Sequence, residues 1–376
     1  MKTILYTEHL TGQARIAPFA GWDMPIQYTG IVPEHLHTRQ QASVFDISHM
    51  GEFELRGPTA EQDLEQLVTQ AVASLDVGQC RYGYLLNPAG GVLDDLTCYR
   101  LGPDHFYLVV NAANRTTNAA WIQEHCQRST TFTDVSDQTA KIDIQGPASR
   151  ALTEEALGVT LPDLKYFRAT HWTYDGTTTL LSRTGYTGEW GYEWYLPVDI
   201  AVAAWRTLLA PGALQPAGLG ARDTLRLEIG YPLHGHELTP DRSPVAAAGR
   251  SFMQLDKSFI GREAVQRVLE SGPAEKLMGL RLESRRAARA GDVVWHGTTP
   301  IGTVTSGSYA PSLGVAIALA YVSTEAAEPG TPCEIEVRSQ RLPATLCRPP
   351  FYTQGTARRN TAPPAAGATN GNRTVV

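Results

Sequence analysis

The stretch Gly90-Gly91-Val92-Leu93-Asp94-Asp95-Leu96-Thr97-Cys98-Tyr99 places two adjacent carboxylates inside a run that otherwise has the composition of a β-strand. Turn-forming Asn, Pro and Gly residues precede it, and an apolar run precedes the turn. Residues 82–99 are therefore predicted to form a β-hairpin. Because successive side chains of a strand point to opposite faces, Asp95 shares a face with Tyr99, and Asp94 lies on the other face.

The two acids oppose the strand preference of their neighbours. Asp is depleted from strands, and a buried carboxylate is costly unless it is hydrogen-bonded or paired with a cation. Two interpretations of Asp94 and Asp95 stay open from this stretch alone. Either one of them serves a functional site, or both lie on a solvated edge strand whose charge opposes aggregation.

Length and composition restrict the class of protein. The 376 residues suggest two or three domains at roughly 150 residues each, and 42% hydrophobic with 19% charged residues is ordinary for a soluble globular enzyme. The net charge of -6 argues against a nucleic-acid partner held through its phosphates. No apolar run approaches the roughly 18 residues of a membrane span, and the N-terminus lacks a targeting pattern, so a cytoplasmic protein without membrane contact is expected.

The first third of the chain predicts a small α+β unit. A helix is expected from 32 to 42, and the following region reads as strand 51–56, helix 59–74, the hairpin, strand 106–111, helix 114–127 and strand 130–135. Thr59 with Gln62 is predicted to form a capping box, and Asn114 to cap the second of these helices. Two helices alternating with an antiparallel meander indicate a ferredoxin-like domain.

His49 follows Asp46 and Ser48 closely in the sequence. This spacing could suggest a catalytic dyad, but no Gly-x-Ser-x-Gly elbow accompanies it. A hydrogen-bonded structural histidine is therefore the favoured interpretation.

The middle of the chain combines strands with a glycine-rich segment. Residues 139–146 alternate polar and apolar side chains as a strand does, and a helix is expected from Pro147 to about 157. Residues 184–194 hold three glycines among aromatic and acidic residues, which suits either a loop against a flat ligand or an ordinary hairpin. Residues 219–228 are predicted to form a helix.

Metal binding is weakly supported. His234 and His236 could ligate a metal from one strand face, but a third ligand is not evident, and no metal is expected. The five cysteines are scattered without a Cys-x-x-Cys pair, which argues against a disulfide framework and a zinc site.

From about residue 276 the chain becomes rich in β patterns separated by Gly and Pro. Strands at 277–282, 300–305, 315–322, 333–338 and 343–348 predict a separate all-β domain, a small barrel or a jelly roll. The basic run Ser284-Arg285-Arg286-Ala287-Ala288-Arg289 is expected to be a solvated face, with contact to an acidic partner as the alternative. The tail 360–376 has the composition of a disordered segment.

With these elements in place, the sequence resembles the T protein of the glycine cleavage system, a tetrahydrofolate-dependent aminomethyltransferase family. The resemblance covers about residues 5 to 359. It is carried by motifs in the family order: Phe19-Ala20-Gly21-Trp22, Phe45-Asp46-Ile47-Ser48-His49-Met50, Gly90-Gly91-Val92-Leu93-Asp94-Asp95-Leu96, Ile144-Gln145-Gly146-Pro147, Arg183-Thr184-Gly185-Tyr186-Thr187-Gly188-Glu189, Gly218-Leu219-Gly220-Ala221-Arg222-Asp223, Phe259-Ile260-Gly261-Arg262-Glu263-Ala264, Thr305-Ser306-Gly307 and Pro311-Ser312-Leu313-Gly314.

The resemblance implies an α+β fold of three domains arranged as a cloverleaf around a central folate site. The first domain would comprise 1–50 and 136–275, interrupted by the ferredoxin-like unit 51–135, and a C-terminal β-barrel or jelly-roll domain would span 276–359. The resemblance maps the essential carboxylate onto Asp95, whereas Asp94 is interpreted as structural. The folate contacts it implies are Met50, Tyr82, Tyr99, Val110, Asn111, Tyr166, Tyr186, Glu193, Arg222, Tyr231 and, near the C-terminus, Arg359 or its neighbour Arg358.

The implied reaction belongs to one-carbon metabolism and glycine catabolism. An aminomethyl group on the lipoyl arm of the H protein is split, ammonia leaves, and the methylene passes to the co-substrate tetrahydrofolate. The expected partner is thus the lipoylated H protein, and the expected state of the chain itself is a monomer. The family usually has Tyr-Gly-Gln-Glu where this chain has His234-Gly235-His236-Glu237, and Phe252 replaces a common tryptophan. These departures are expected to affect the rim and the partner surface more than the pterin pocket.

Two other functions compete with this one. One is the activity of a related folate-dependent demethylase, or of the folate half of a sarcosine or dimethylglycine dehydrogenase. The latter normally comes fused to a flavin domain with a Gly-x-Gly-x-x-Gly start, which is absent from this sequence. A non-catalytic folate-binding maturation factor of the same fold would carry Lys-Gly-Cys-Tyr-x-Gly-Gln-Glu, where this chain has Lys257-Ser258-Phe259-Ile260-Gly261-Arg262-Glu263.

Overall fold

The chain begins with two short helices, a small two-stranded sheet and the first strand of a larger sheet. In the computed structural model, which describes residues 1–127 and 129–363, these elements are α1 Tyr6–Thr11, β1 Arg15–Phe19, β2 Trp22–Gln27, α2 Ile31–Gln40 and β3 Ser43–Asp46. Helix α2 confirms the predicted helix. Pro33 lies in its first turn, where a backbone N–H has no partner within the helix and its loss costs little.

The next region forms a five-stranded antiparallel sheet. Its elements are β4 Gly51–Arg56, α3 Ala60–Leu67, β5 Gln79–Leu86, β6 Val92–Gly102, β7 His105–Val110, α4 Arg115–His125 and β8 Thr131–Asp134. The strand order β5-β6-β7-β4-β8 places β4 between β7 and β8, so that β7, α4 and β8 form a split β-α-β unit. Strands β5 and β6 are the predicted hairpin, in which Tyr84 pairs with Asp95.

The two faces of this sheet separate as the hairpin pattern predicts. Leu96 and Cys98 join the apolar core beneath α3 and α4. Tyr99, from the opposite face, packs with Tyr107 and Tyr195 in a second cluster between this sheet and the next. The sheet is thus covered on both sides, and the acids of β6 do not lie on a solvated edge strand.

Helix α3 is shorter than the predicted helix 59–74. It ends at Leu67 because the chain then pairs with the hairpin: Val68 bridges Leu85, and the N–H of Thr69 donates to the carbonyl of Tyr84 at 3.0 Å. The capping predictions are also wrong. The hydroxyl of Thr59 bonds to the hydroxyls of Ser129 and Thr130 at 2.8 Å and not to the helix, and the side chain of Asn114 makes no cap bond to α4.

The largest sheet has six strands in the order β10-β11-β12-β9-β3-β13. Its further elements and the helices around it are β9 Thr139–Gln145, α5 Ser149–Leu157, β10 Ala169–Tyr174, β11 Thr177–Ser182, β12 Gly191–Pro197, α6 Val198–Leu209, β13 Gln215–Pro216 and α7 Leu219–Ile229. Helix α8 Arg262–Ser271 follows later in the chain and packs against the β5–β6 hairpin, where Val265 joins Leu86 and Val92 in one apolar cluster. The strand expected at 139–146 and the helices expected after Pro147 and at 219–228 are confirmed. The glycine-rich segment forms the connection between β11 and β12, which pair as antiparallel neighbours.

Strand β9 has two different buried faces. Ile142 and Ile144 lie in the apolar core of the sheet, whereas Lys141, Asp143 and Gln145 alternate with them on the other face. These three polar side chains are no more than 1% exposed. A strand that buries polar residues along one whole face needs compensating partners there, and those partners form the candidate site described below.

The C-terminal region is a closed barrel of six strands: β14 Glu275–Leu282, β15 Val293–His296, β16 Thr299–Ala310, β17 Val315–Ser323, β18 Pro332–Val337 and β19 Gln340–Cys347. Of the two predicted folds, the barrel is confirmed. Strand β15 was not predicted, because it is only four residues long and carries a register shift. No helix within residues 1–127 and 129–363 has the length and apolar character to cross a membrane.

Beyond the barrel, the chain returns to the six-stranded sheet and packs on the glycine-rich connection between β11 and β12. The guanidinium of Arg183 donates to the carbonyl of Ala357 at 2.9 Å and to that of Arg359 at 2.5 Å. The backbone N–H of Trp190 donates to the hydroxyl of Thr356 at 2.8 Å. We refer to residues 356–359 as the C-terminal strap. Of the tail predicted to be disordered, 364–376 lie outside the described residues.

Candidate active site

Asp95 is held from two sides on β6, the second strand of the hairpin. Its Oδ2 accepts a hydrogen bond from the Tyr82 hydroxyl at 2.9 Å, and its Oδ1 accepts one from the side-chain amide of Asn111 at 2.8 Å. Tyr82 lies on the neighbouring strand β5, and Asn111 directly follows β7. The predicted grouping of Asp95 with a polar strand end is therefore present, and the carboxylate has a fixed orientation.

Asp94 points the other way and is completely buried. Its Oδ2 accepts from the backbone N–H of Asn111 at 3.0 Å and from the side chain of Asn118 at 2.5 Å, whereas its Oδ1 accepts from the side chains of Asn111 and Asn114 at 2.7 and 2.8 Å. All of these partners are N–H donors, so they favour the ionised carboxylate. This geometry agrees with the structural interpretation of Asp94.

The two carboxylates are joined by one amide. Asn111 donates from the same Nδ2 to Oδ1 of Asp94 and Oδ1 of Asp95, so that its position depends on both. Burial raises the pKa of both carboxyls, that of Asp94 to about 6, and the negative charge of Asp95 adds to the shift of Asp94.

His234 reaches this network, which sequence reasoning did not foresee. Its Nδ1 lies 3.0 Å from Nδ2 of Asn114, whose hydrogens also serve Asp94, and its Nε2 lies 3.3 Å from the carbonyl of Val92. An amide nitrogen can only donate and a carbonyl can only accept, so Nδ1 is the acceptor and Nε2 carries the proton. His234 thus supports the network that holds Asp94, and the expectation that this departure affects the rim and the partner surface more than the pterin pocket stays a prediction.

His236 bonds elsewhere, to the carbonyl of Thr305 at 3.0 Å. In the part of the chain that the structure describes, no cluster of three or more His, Cys, Asp or Glu side chains has the arrangement of a metal site. Phe252, the other departure, packs edge-on against Tyr82 with ring centroids 4.8 Å apart.

A second group of predicted residues lies on the polar face of β9. Glu193 of β12 forms an ion pair with Lys141 at 3.1 Å through Oε1, and its Oε2 accepts from the hydroxyls of Thr184 and Tyr195, the latter at 3.4 Å. Burial alone would raise the pKa of Glu193, but the charge of Lys141 and the Thr184 hydrogen bond together hold it below its usual value. Glu193 is therefore an anion whose oxygens already have partners.

Arg222 of α7 is paired with Asp143 of β9 through Nη1 and Oδ2. Its guanidinium lies 5.1 Å from the centre of the Tyr186 ring, which in turn stacks on Tyr231 with centroids 5.7 Å apart and planes at 24°. The Tyr186 hydroxyl donates to the carbonyl of Pro232. These aromatic faces and the guanidinium form one continuous wall.

The glycine-rich connection follows the contour of β9 closely. A Cβ on Gly185 would lie 2.2 Å from Oε1 of Gln145, so a larger residue here would displace the buried Gln145 side chain. Gln145 also bonds the connection itself, donating to the carbonyl of Thr184 at 3.0 Å and accepting from the Thr187 hydroxyl at 2.7 Å. The connection is therefore fixed against the site and is not a plain hairpin turn.

Not every predicted contact residue is open to a ligand. Tyr99 is fully enclosed, with its hydroxyl 2.9 Å from that of Tyr195, and Val110 is buried in the core under the helices. Met50 is half-buried, with its sulfur 3.7 Å from Nζ of Lys141. Tyr166 packs on Phe167, and its hydroxyl lies close enough to Tyr231, which stacks on Tyr186, to influence the pKa of Tyr166.

The two C-terminal arginines differ in surroundings. The side chain of Arg358 lies close enough to Tyr166 for its charge to lower the pKa of that hydroxyl, although burial dominates and raises it overall. Arg359 instead influences Tyr352. Both are exposed.

His49 does not form a dyad with Asp46. Asp46 bonds instead to His9 at 2.8 Å and to the backbone N–H of Ser48 at 2.9 Å. Within residues 1–127 and 129–363, Nδ1 of His49 has no hydrogen-bond partner, so the predicted hydrogen-bonded histidine is wrong at this atom. Burial lowers the pKa of His49 to about 4, which leaves the ring neutral at neutral pH.

Comparison with known proteins identifies the family of the chain. The family model of the GCVT N-terminal domain matches residues 5–257, and that of the glycine cleavage T-protein C-terminal barrel domain matches 275–353. The chain belongs to the glycine cleavage T-protein family. This confirms the predicted family and the predicted one-carbon transferase class.

Individual relatives extend over nearly the whole chain. The protein named Aminomethyltransferase of Halothermothrix orenii is 41% identical over 354 residues, 93% of this chain and 99% of that protein. The one of Symbiobacterium thermophilum is 43% identical over 364 residues, 93% and 97%. The crystal structure of the glycine cleavage system aminomethyltransferase T from Bartonella henselae has a TM-score of 0.90 at 34% identity and covers 95% of this chain and 99% of that one. The predicted fold class is confirmed by this similarity.

Proposed function

We propose that this chain catalyses the aminomethyl transfer of the glycine cleavage system: the methylene of the aminomethyl group on the lipoyl arm of the H protein passes to tetrahydrofolate, and ammonia is released. The observation that carries the proposal is the orientation of Asp95. Its two oxygens are fixed by Tyr82 and Asn111 on the site side of the hairpin, whereas both oxygens of the adjacent Asp94 are occupied by donors from Asn111, Asn114 and Asn118.

Asp95 would stabilise the positive charge that develops on the one-carbon unit as the bond to the departing ammonia breaks. A carboxylate with a raised pKa in a buried setting interacts strongly with such a cation, because little water screens the pair. Its preorganisation by two hydrogen bonds means that the site does not have to reorient at the moment of reaction.

The tetrahydrofolate would bind along the wall formed by Tyr186, Tyr231 and Arg222 towards Glu193. Aromatic faces suit the flat pterin and benzoyl rings, and the buried carboxylate of Glu193 accepts hydrogen bonds from pterin N–H groups. Nδ1 of His49 is a polar atom without a partner among the described residues, as expected of a site that a polar ligand completes. Tyr99 and Val110 would not contact the folate. Tyr99 would position Glu193 through Tyr195, and Val110 would position Asn111, which follows it in the chain.

Arg358 is the better candidate of the two C-terminal arginines for the glutamate end of the folate, because its charge acts at Tyr166. The H protein would be the macromolecular partner, and the chain would act as a monomer without a metal. The three-domain division remains part of this proposal.

The decisive experiment measures ammonia release and methylenetetrahydrofolate formation from aminomethyl-loaded H protein, with wild type and Asp95→Asn. We expect tetrahydrofolate-dependent turnover in the wild type, which the substitution removes while tetrahydrofolate still binds. If tetrahydrofolate binds but the wild type does not turn over with H protein, the function is that of a demethylase or a maturation factor. If Asp95→Asn retains full turnover, the assigned role of Asp95 is wrong.

A further inference from the structure

Asp143 is a buried carboxylate with one unused oxygen. It is 0% exposed; its Oδ2 is paired with Arg222, and its Oδ1 has no hydrogen-bond partner in the described part of the chain. An acceptor left unsatisfied in the interior carries a large desolvation cost. Such an atom beside a ligand site is a place where a ligand can supply the missing hydrogen bond.

The sheet register places Asp143 opposite Glu193. These residues are Cα partners in the antiparallel pair of β9 and β12, so their side chains project from the same face. Asp143 is also the partner of Phe45 on β3, which closes its other flank. Two buried carboxylates thus lie side by side at the polar face of β9, beside the proposed folate site.

The charge of this pair is already balanced. Lys141 lies 3.1 Å from Glu193, and Arg222 is paired with Asp143, so two cations face two anions. What Asp143 lacks is therefore a hydrogen-bond donor and not a counter-ion. A neutral ligand edge with several N–H groups satisfies this need, whereas a metal ion or an additional ammonium group would leave excess positive charge.

We propose that Asp143 and Glu193 together form a two-carboxylate acceptor for the amino edge of the reduced pterin, with Asp143 as an additional binding residue. The inference rests on the proposed folate function and deepens it. The amino group of a pterin has two hydrogens and an adjacent ring N–H, which is a donor set for two carboxylates. Burial raises the pKa of Asp143 to about 6, although the charges of Arg222 and Lys141 and the neighbouring side chain of Gln145 oppose the shift, and the group is ionised and able to accept at neutral pH.

The alternative is that Asp143 only anchors Arg222. Both roles predict that Asp143→Asn weakens folate binding, so a ligand that lacks the amino group is needed to separate them. If Asp143 contacts the amino edge, its removal matters for tetrahydrofolate and much less for the 2-desamino-2-methyl analogue. If it only anchors Arg222, both ligands lose affinity by the same factor.

The experiment measures the Kd of both ligands at neutral pH by calorimetry for wild type, Asp143→Asn and Asp137→Asn. Asp137 is a matched control, an exposed aspartate near the start of β9 that pairs with Arg115 outside the site. Melting temperatures and circular dichroism show whether each variant is folded. Asp143→Ala tests the same contact without the amide of asparagine.

We expect Asp143→Asn and Asp143→Ala to raise the Kd of tetrahydrofolate about 10-fold or more, as the loss of a hydrogen bond to a charged acceptor does, and Asp137→Asn to leave it within about 2-fold. We also expect the preference of the wild type for tetrahydrofolate over the analogue to shrink by a similar factor in both Asp143 variants. Unchanged Kd values in folded variants, or equal losses for both ligands, would overturn the inference. A wild type that binds neither ligand would instead overturn the proposed folate function on which it rests.

Discussion

Replacing each aspartate of the hairpin by asparagine separates the stability of the site from its chemistry. The substitutions Asp94→Asn and Asp95→Asn are adjacent, nearly equal in size and each remove one negative charge. The opposite faces of strand β6 predict opposite results. Asp94→Asn should mainly lower the free energy of unfolding, whereas Asp95→Asn should mainly lower turnover.

The expected loss of stability in Asp94→Asn follows from the N–H groups that donate to Asp94. Each oxygen of Asp94 accepts two N–H groups, so whichever oxygen becomes the amide nitrogen, two hydrogen bonds turn into contacts between donors. An unsatisfied buried donor costs roughly 1–3 kcal/mol, and some relaxation occurs, so we expect a loss of about 2–4 kcal/mol. Asn111 should lose its position at the same time.

Asp95→Asn has no comparable cost. The asparagine oxygen can keep the bond from Asn111, and its nitrogen can donate to the Tyr82 hydroxyl, which rotates to accept. We therefore expect a change in stability below about 1 kcal/mol. Losing a preorganised group at a developing charge typically lowers kcat by about 10²- to 10³-fold, and this is the effect expected here.

Urea unfolding followed by circular dichroism measures the free energy of unfolding of each variant, and the H-protein turnover assay measures its kcat. The reasoning is refuted if Asp95→Asn is the more destabilised of the two variants. It is equally refuted if Asp94→Asn unfolds at the same urea concentration as the wild type, because its buried donors would then not need the carboxylate.

Three other predictions concern the framework. Burial lowers the pKa of His49 from 6.5 to about 4, so below pH 6.5 the unfolded chain binds a proton at this ring that the folded chain does not. The stability contributed by the neutral ring is therefore present above pH 6.5 and lost as the pH falls towards 4. His49→Gln should make the free energy of unfolding depend less on pH in this window, as measured by urea unfolding at several pH values. Arg39 pairs with two buried glutamates at 2.9 and 3.1 Å, and Arg39→Met should cost about 3–5 kcal/mol in urea unfolding; a neutral result would mean that the glutamates are not charged there. Gly91→Ala would place a Cβ 1.7 Å from the carbonyl oxygen of Pro240, so it should lower the free energy of unfolding by about 2 kcal/mol or more. Gly102→Ala at the end of the same hairpin is the control, because its Cβ would have its nearest atom at 3.4 Å, and it should cost under about 1 kcal/mol. Equal midpoints of urea unfolding for the two variants would contradict this prediction.

Local patterns in the sequence were sufficient to predict the β5–β6 hairpin and the faces of its residues. The period of two along β6 separates Asp95 from Asp94 without any knowledge of the partners, and the turn residues set the ends of the strands. The same period identified β9. It did not reveal that Lys141 and Asp143 are buried, because alternation of polar and apolar residues also describes a strand with one face in water.

Contacts between distant residues explain the remaining differences. Helix α3 ends early because its last predicted turn pairs with β5, and Asn114 serves Asp94 rather than its own helix. His234 reaches Asn114 from more than a hundred positions away in the sequence. A hydrogen bond between residues that are distant in the sequence does not change the pattern of polar and apolar residues around either partner. Only the folded structure identifies such a contact.

The C-terminal strap also has a consequence for how the molecule is made. Its bonds to Arg183 and Trp190 join the end of the described chain to the connection that carries Tyr186. During synthesis, the ribosome releases residues 356–359 only after the large sheet and the barrel have emerged. The connection beside the site therefore gains these anchors only after the large sheet and the barrel have been synthesised, and a nascent chain that stops before residue 356 lacks them.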